Sequence, residues 1–272
     1  MITAYEVTDK EFKLFSALVY KESGIRLNDN KRALLVSRLS KRLRELGLDT
    51  FKEYYDQYLN NESDGELIQM LDLISTNKTS FFREPAHFDF LKKVILPSLS
   101  HLKQIKIWSS ACSSGEEPYT IAMTLFDNVM NPNQWDFRIL ASDLSTRVLA
   151  RAQSGIYDLD QVGEINSARA KLHFLRGTGE NKGKIKVKPH LQNMITFNRI
   201  NLMDERYRIK NNLDLIFCRN VMIYFDRETQ QRLMKKFYHY LKPGGYLFIG
   251  HSESLQWLEH SFNYAAPTIY RK

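Results

Sequence analysis

The sequence predicts an α/β protein in which a small all-α domain, residues 1–75, precedes a nucleotide-type α/β domain, residues 101–272. Up to residue 75 the apolar residues recur only at helical spacing. Beyond residue 100, short apolar runs typical of buried strands alternate with helical segments, and a basic stretch at residues 171–193 interrupts the alternation. We therefore expect a small β subdomain inserted at that stretch, and a linker with a connecting helix at residues 76–100.

Four helices are predicted in the N-terminal domain. Thr8 followed by Glu11 has the pattern of a capping box at the start of the first helix. The second helix carries leucines on one face and stops at Gly47. A third is expected near residues 51–59, and Ser63 is expected to cap the fourth.

The second half is predicted to contain a parallel sheet covered by helices on both faces. Helical segments separate most of the apolar runs, as parallel strands require. The segment RGTGENKGKIKVK has the alternation and the turn residues of a small hairpin inserted in this domain. Strands are expected at residues 105–109, 137–142, 195–199, 213–218, 246–250 and 268–271.

Composition and charge limit the class of protein. The chain has 43% hydrophobic residues, enough for a buried core, and a net charge of +8 that favours an acidic partner. The basic helix at residues 31–44 is therefore either a docking face or a solvated exterior. No signal pattern or bilayer-length apolar stretch occurs, so a cytoplasmic protein without membrane insertion is expected. Cys112 and Cys218 are expected to be reduced structural thiols.

The stretch from Ile105 to Met123 is predicted to be a strand, a small-residue loop and a helix start that meets a ligand. Its loop has a single glycine, Gly115, followed by Glu116 and Glu117. Two carboxylates would repel a pyrophosphate and attract a cationic ligand such as a sulfonium or an amine. This is not the pattern of a dinucleotide site.

Two later strands end in polar residues that would share the same sheet edge. Asp143 can accept hydrogen bonds from both ribose hydroxyls of a nucleoside, or it can cap the next helix. Arg219 and Asn220 follow another buried strand and form either a ligand-contacting edge or an ordinary turn. With the first loop present, ribose binding by Asp143 is favoured.

The linker between the two domains carries polar and aromatic residues in close succession. Asn77, Thr79 and Arg83 could fold over a ligand cleft, with Phe81 and Phe82 excluding water. Alternatively, the segment is a capping turn followed by two core aromatics, which is the commoner case for such a segment alone. The histidines show no metal-ligand spacing, and no metal is expected.

Together these segments resemble the CheR family of chemotaxis receptor methyltransferases over nearly the whole chain. The resemblance implies a class I, Rossmann-like methyltransferase domain behind an all-α domain. It also implies S-adenosyl-L-methionine as the cofactor and S-adenosyl-L-homocysteine as its product. The matching segments are TNKTSFFRE, ACSSGEEPYTIAM, ASDLSTRVLARAQSGIY, RGTG, FCRNVMIYF and LKPGGYLFIGHSE.

The resemblance also implies which residues form the site. Arg83 and Tyr224 match family residues proposed to lie near the reacting groups, and they are the expected catalytic residues. Two of the implied cofactor contacts, Asn201 and Leu202, belong to no pattern that marks them in the sequence. The implied cofactor contacts are Asn77, Thr79, Arg83, Glu117, Asp143, Asn201, Leu202, Arg219 and Asn220.

By the same resemblance, the chain is expected to be a monomeric protein-glutamate O-methyltransferase that acts on the cytoplasmic helices of chemoreceptors in chemotaxis adaptation. The turn from Gly177 to Gly183 looks like that of family members that bind a receptor C-terminal pentapeptide. Two alternatives stay open: an RNA methyltransferase and a non-catalytic S-adenosylmethionine-sensing module. No Asn-Pro-Pro-aromatic turn follows the strand that ends at Cys218, which argues against base methylation and a nucleic-acid substrate.

Overall fold

The computed structural model describes residues 5–60, 64–163 and 165–272. The predicted all-α N-terminal domain is confirmed. Thr8 and Glu11 form the expected capping box, whereas Ser63, the expected cap of the fourth helix, lies outside the described residues. The helices are α1 (Asp9–Ser23), α2 (Arg32–Leu46), α3 (Phe51–Tyr54), which continues as a π-helical turn (Tyr55–Leu59), and α4 (Asp64–Ile74).

The core of this domain forms because α2 places a leucine on the same face at every turn. Leu35, Leu39 and Leu43 are all fully buried and pack against aromatic residues from α1 and α3. Arg42 on α2 is half-buried, and its Nη2 atom lies 2.6 Å from Glu66 Oε2 on α4. Burial alone would raise the pKa of Glu66, but Arg42 and a neighbouring tyrosine hydroxyl hold it below its ordinary value.

The second domain is built on a seven-stranded sheet in the order β6-β2-β1-β7-β8-β10-β9. The first five strands in that order are parallel, and β10 runs antiparallel to both of its neighbours. The connecting helix comprises α5 (Ala86–Phe90), a π-helical turn (Leu91–Ile95) and α6 (Leu96–Leu99). The strands are β1 (Gln104–Ser109), β2 (Asp136–Asp143), β6 (Ile195–Arg199), β7 (Leu213–Cys218), β8 (Leu241–Ile249), β9 (Asn263–Ala266) and β10 (Ile269–Arg271).

Helices cover both faces of this sheet, as the alternation of elements predicts. Successive residues of one strand point to opposite faces. Ile107 therefore joins the cluster under the connecting helix, whereas Trp108 joins the cluster under the last helix. The helices are α7 (Glu116–Asp127), α8 (Thr146–Ser154), α9 (Ser167–His173), α10 (Pro189–Gln192) and α11 (Arg227–Tyr240). Within the described residues, none of the helices is both long enough and apolar enough to cross a membrane.

The inserted subdomain is a separate three-stranded antiparallel sheet in the order β3-β5-β4. The predicted stretch at residues 171–193 supplies β4 (Phe174–Arg176) and β5 (Lys184–Val187). The third strand, β3 (Ile156–Asp158), lies before that stretch and pairs with β5. Its three residues form no alternating run, which is why the pattern gave no sign of it.

Candidate functional site

A cleft opens at the carboxyl edge of the large sheet, where the sheet domain meets the linker and the N-terminal domain. The loops after β1, β2, β6 and β7 form one side, and the linker with the segment before α2 forms the other. Its lining includes every site residue that the sequence and the resemblance indicated: Asn77, Thr79, Arg83, Glu117, Asp143, Asn201, Leu202, Arg219, Asn220 and Tyr224.

The loop after β1 has a fixed backbone. Gly115 adopts a φ of 99°, and a Cβ atom there would lie 2.7 Å from the Tyr157 hydroxyl, so the position requires glycine. Tyr157 in turn donates a hydrogen bond to the Ser114 carbonyl at 2.7 Å. The loop is therefore shaped by the small β sheet before any ligand binds.

Asp143 lies at the end of β2 and is held by backbone groups. Its Oδ2 accepts the Ser113 N–H at 2.8 Å and its Oδ1 accepts the Ser145 N–H at 3.0 Å. The cap of α8 is Ser145, whose hydroxyl accepts the Val148 N–H. Burial raises the pKa of Asp143, although these N–H groups oppose the shift. Each carboxylate oxygen retains a lone pair, so Asp143 can still accept hydrogen bonds from hydroxyls in the cleft.

Arg219 lies beneath the cleft between two carboxylates. Its Nη1 is 3.0 Å from Glu117 Oε2 and its Nη2 is 3.1 Å from Glu84 Oε2, while only 2% of the side chain is exposed. Burial raises the pKa of Glu117, and Arg219 offsets only part of that rise. Burial alone would also raise the pKa of Glu84, but Arg219, the His251 N–H and Asn220 hold it below its ordinary value.

The two glutamates at the start of α7 have different positions. Glu117 accepts the Ser109 hydroxyl at 2.7 Å and lines the cleft. Glu116 is buried, accepts the Ser114 hydroxyl at 2.7 Å and is absent from the cleft lining. Two carboxylates, Glu84 and Glu117, share one guanidinium, so this end of the cleft favours a cationic group.

A glutamate that the sequence did not single out holds the turn after β7. Glu253 accepts the backbone N–H groups of Asn220 at 3.0 Å and Met222 at 2.7 Å. Asn220 has a φ of 57°, and its Nδ2 donates to Glu84 at 3.2 Å. Glu253 also accepts the nearby Gly250 N–H, but its contacts with the turn after β7 are 31 to 33 residues away in sequence, so only its position in the matching segment LKPGGYLFIGHSE signalled a role.

The linker combines the two arrangements that the sequence left open, because it contributes both a core aromatic and residues of the cleft lining. Phe81 is buried against Tyr157, as expected of a core aromatic. Asn77 and Arg83 nevertheless line the cleft. The Asn77 carbonyl accepts the Ser113 hydroxyl at 2.9 Å, and its Nδ2 is buried without a hydrogen-bond partner among the described residues. Arg83 donates to the linker's own backbone through one nitrogen, which leaves its other N–H groups available to the cleft.

The N-terminal domain closes the remaining side. The Arg26 N–H donates to the Tyr224 carbonyl at 3.0 Å, whereas the Tyr224 hydroxyl bonds to no described residue. Asn201 Nδ2 donates to the Glu22 carbonyl at 2.5 Å, so this side chain joins the domains. Sequence patterns did not place three further residues in the cleft: Arg26, Lys31 just before α2, and Leu34 in the first turn of α2.

Comparison with known families identifies this architecture. A family model described as the CheR methyltransferase all-alpha domain matches residues 10–75, and the CheR methyltransferase SAM binding domain matches residues 77–270. The chain belongs to the CheR methyltransferase family. The CheR resemblance of the sequence segments is thereby confirmed, together with S-adenosylmethionine-dependent methyltransferase activity in chemotaxis.

Curated CheR relatives align with nearly the whole chain. The chemotaxis protein methyltransferase of Escherichia coli is 40% identical over 265 residues, which cover 97% of this chain and 91% of that protein. That of Salmonella typhimurium is 39% identical over 265 residues, covering 97% and 90%. That of Borreliella burgdorferi is 43% identical over 275 residues, covering 98% and 95%.

Proposed function

We propose that this protein transfers the methyl group of S-adenosylmethionine to glutamate side chains of chemoreceptors, acting as a monomer in the cytoplasm. The observation that carries the proposal is the excess negative charge at one end of the cleft, where Glu84 and Glu117 share Arg219. The α-ammonium group of S-adenosylmethionine has the charge that this end favours. Family membership supplies the substrate class.

The cleft fits this cofactor in three further ways. Asp143 presents a carboxylate fixed by backbone N–H groups to the two ribose hydroxyls. The buried Asn77 Nδ2 lacks a partner among the described residues, and a bound acceptor would satisfy it. Asn201 uses its side chain for the domain contact, so its backbone is the part left for the cofactor. The other proposed contacts are Thr79, Arg83, Leu202, Arg219 and Asn220.

The chemistry requires positioning rather than proton transfer. A glutamate substrate with a reference pKa of about 4.3 is already ionised near neutral pH, so the transfer needs neither a base nor a metal. Bound S-adenosylmethionine supplies a methyl group activated by a sulfonium. Arg83 orients the substrate carboxylate with its planar guanidinium, Tyr224 donates a hydrogen bond at the reacting centre, and the walls of the cleft limit the access of water.

The basic helix offers a docking face beside the cleft. Lys31 and Leu34 line the cleft, and Arg38 follows one turn later on the same side of α2 and is exposed. Arg42 is bound to Glu66, so it is part of the fold rather than of this face. We expect Arg38→Glu to slow methylation of receptor membranes several-fold. Arg44→Glu, on another side of α2, is the control. Equal methylation rates for both variants would mean that α2 is a solvated exterior and not a docking face.

The inserted sheet offers a second receptor contact. β4 pairs only with β5 among the described strands, so its other edge can accept an added strand from a receptor C-terminal pentapeptide. Leu175 on β4 is 51% exposed beside that edge. The peptide should bind the intact chain by calorimetric titration, and deletion of Gly177 to Gly183 should abolish binding. Unaltered binding after the deletion would rule out this site.

The decisive experiment is methyl transfer from labelled S-adenosylmethionine to purified receptor membranes, with modified peptides mapped by mass spectrometry. Label released by mild base as a methyl ester on glutamate is expected. Label in RNA, or cofactor binding with no transfer to either substrate, would contradict the proposal and favour one of the two alternative functions.

A further inference from the structure

Three potential metal ligands meet behind the cleft, outside its lining. Glu84 belongs to the linker, His87 to α5 and His251 to the loop after β8. One ligand atom from each lies within 4.8 Å of the others. The sequence gave no sign of this cluster because Glu84 and His251 are 167 residues apart.

The contacts of Thr268 are consistent with a proton on Nε2 of His87. The Thr268 hydroxyl lies 2.7 Å from the Pro267 carbonyl, to which it can donate its only hydrogen. In that arrangement it accepts the hydrogen bond that joins it to His87 Nε2 at 2.7 Å. A buried neutral imidazole has one N–H group, so His87 Nδ1 carries a lone pair.

That lone pair faces another acceptor. His87 is fully buried, its Nδ1 has no hydrogen-bond partner among the described residues, and Glu84 Oε2 lies 3.6 Å away. Glu84 is compensated by Arg219, whereas the buried His87 nitrogen has neither a donor nor a cation of its own among the described residues, which is unfavourable. His251 is exposed, and its ring centroid lies 5.2 Å from that of His87. Its side chain can therefore turn towards the same point from the solvent side.

We propose that Glu84, His87 and His251 bind a divalent transition-metal ion such as Zn²⁺. Two imidazoles and one carboxylate form a three-residue ligand set that Zn²⁺ uses with a fourth position left to water. Adjacent ligand atoms of a tetrahedral Zn²⁺ ion lie about 3.3 Å apart, close to the Glu84–His87 separation. Mg²⁺ and Ca²⁺ prefer oxygen ligands and are excluded as the intended ion.

Arg219 sets the strength of this site. Its Nη2 and Nε both donate to the same Glu84 oxygen, at 3.1 Å and 3.3 Å, which orients the carboxylate but uses acceptor capacity of that oxygen and places a positive charge near the ion. The affinity is therefore expected to be weaker than that of a structural zinc site, so that the ion exchanges with its surroundings. Since methyl transfer uses no metal, the ion would act on the cleft through Glu84 and Arg219 rather than on the reaction.

The test is metal binding by the full chain after removal of any affinity tag and dialysis against a chelator. Co²⁺ should bind one ion per chain and give the visible absorption of a low-symmetry nitrogen and oxygen site, and Zn²⁺ should displace it. His251→Ala should weaken Zn²⁺ binding by at least about tenfold, measured by competition with a chromogenic chelator. His260→Ala removes an exposed histidine from the same loop and should leave the affinity unchanged.

Equal Zn²⁺ affinity in the parent and in His251→Ala would overturn the proposal. The absence of Co²⁺ binding by the parent would also overturn it, and is the result expected if a water bridges His87 and Glu84. Because His251 is exposed, its substitution should not prevent folding, which circular dichroism would check. The readout needs neither cofactor nor receptor, so it stands or falls independently of the proposed function.

Discussion

The two sides of the cleft differ in how much of their bonding capacity the protein itself uses. On the sheet side, Asp143 accepts two backbone N–H groups, and Glu117 accepts Ser109 and Arg219. By contrast, Asn77 Nδ2 in the linker and the Tyr224 hydroxyl, which reaches the cleft from the turn after β7, bond to none of the residues that the structure describes. We call these the fixed wall and the open wall.

The difference separates the two tasks of a methyltransferase. Groups held by the backbone cannot move, so the fixed wall can bind the cofactor in one orientation with little reorganisation. Groups with free bonding capacity can respond to a substrate that arrives afterwards. Substitutions in the fixed wall should therefore weaken cofactor binding, and substitutions at the reacting end of the open wall should mainly slow the transfer.

The largest effect is expected for Asp143→Ala. The variant loses the acceptors of the ribose hydroxyls, and S-adenosylhomocysteine should bind at least about 100-fold more weakly by calorimetry. Asp143→Asn keeps one oxygen acceptor and should fall between that variant and the parent. Asp136→Ala, at a half-buried aspartate at the start of the same strand, is the control. Undiminished binding by Asp143→Ala would remove the ribose assignment.

Arg83→Ala should lower kcat/KM for the receptor by roughly 30-fold, corresponding to about 2 kcal/mol for a lost charged hydrogen-bond pair. Arg83→Lys keeps the charge but not the planar fork and should recover only part of the rate. Single-turnover rates at several receptor concentrations check this. Full rescue by lysine would show that charge alone matters at this position of the open wall.

Tyr224→Phe should slow single-turnover methyl transfer by about tenfold, the effect of one lost hydrogen bond. Its affinity for S-adenosylhomocysteine should stay within a factor of two, because the hydroxyl belongs to the open wall. Tyr264→Phe, at a tyrosine that is 68% exposed on β9, controls for the substitution itself. An unchanged transfer rate in Tyr224→Phe would remove this hydroxyl from the mechanism.

The smallest effect concerns pH. Since burial raises the pKa of Glu117, protonation begins at a higher pH than for an ordinary glutamate and removes the charge that attracts the cofactor's ammonium group. Affinity should therefore fall a few-fold as the pH is lowered from neutral, before an ordinary glutamate would begin to protonate. Glu117→Gln should bind more weakly but with less dependence on pH. The raised pKa of Asp143 acts in the same direction, because its protonation also removes a charge from the cleft. A cofactor affinity of the parent that rises as the pH falls would therefore contradict the prediction.

The sequence predicted the fold well where the burial of an element produces a recognisable pattern of apolar residues. β7 was predicted with its observed bounds because all six of its residues are buried. β9 was not predicted, since its residues are exposed or only half-buried and form no apolar run. β8 begins earlier than expected because the turn residues at its start still pair with β7 through a shift in register.

The site was predictable where its residues end a strand. Asp143 and Arg219 follow apolar runs, so their place at the sheet edge followed from the fold. Asn201 belongs to no such pattern, and only the family resemblance indicated it. The contacts of Glu84 with Arg219 and His251 join segments 135 and 167 residues apart, and no local pattern records a contact of that range.

The hydrogen bond from the Arg26 N–H to the Tyr224 carbonyl affects how domains of two such proteins can be combined in a chimaera. The segment between α1 and α2 lines the cleft, so the N-terminal domain is part of the reaction chamber rather than a detachable adaptor. A chimaera joined at residue 75 would acquire a foreign side of that chamber along with a foreign receptor preference. Under the proposed function, receptor choice and turnover are therefore inherited together, and exchanging one without the other requires the foreign segment to begin within α2, beyond Leu34, and to end before Ile74, where the cleft lining resumes.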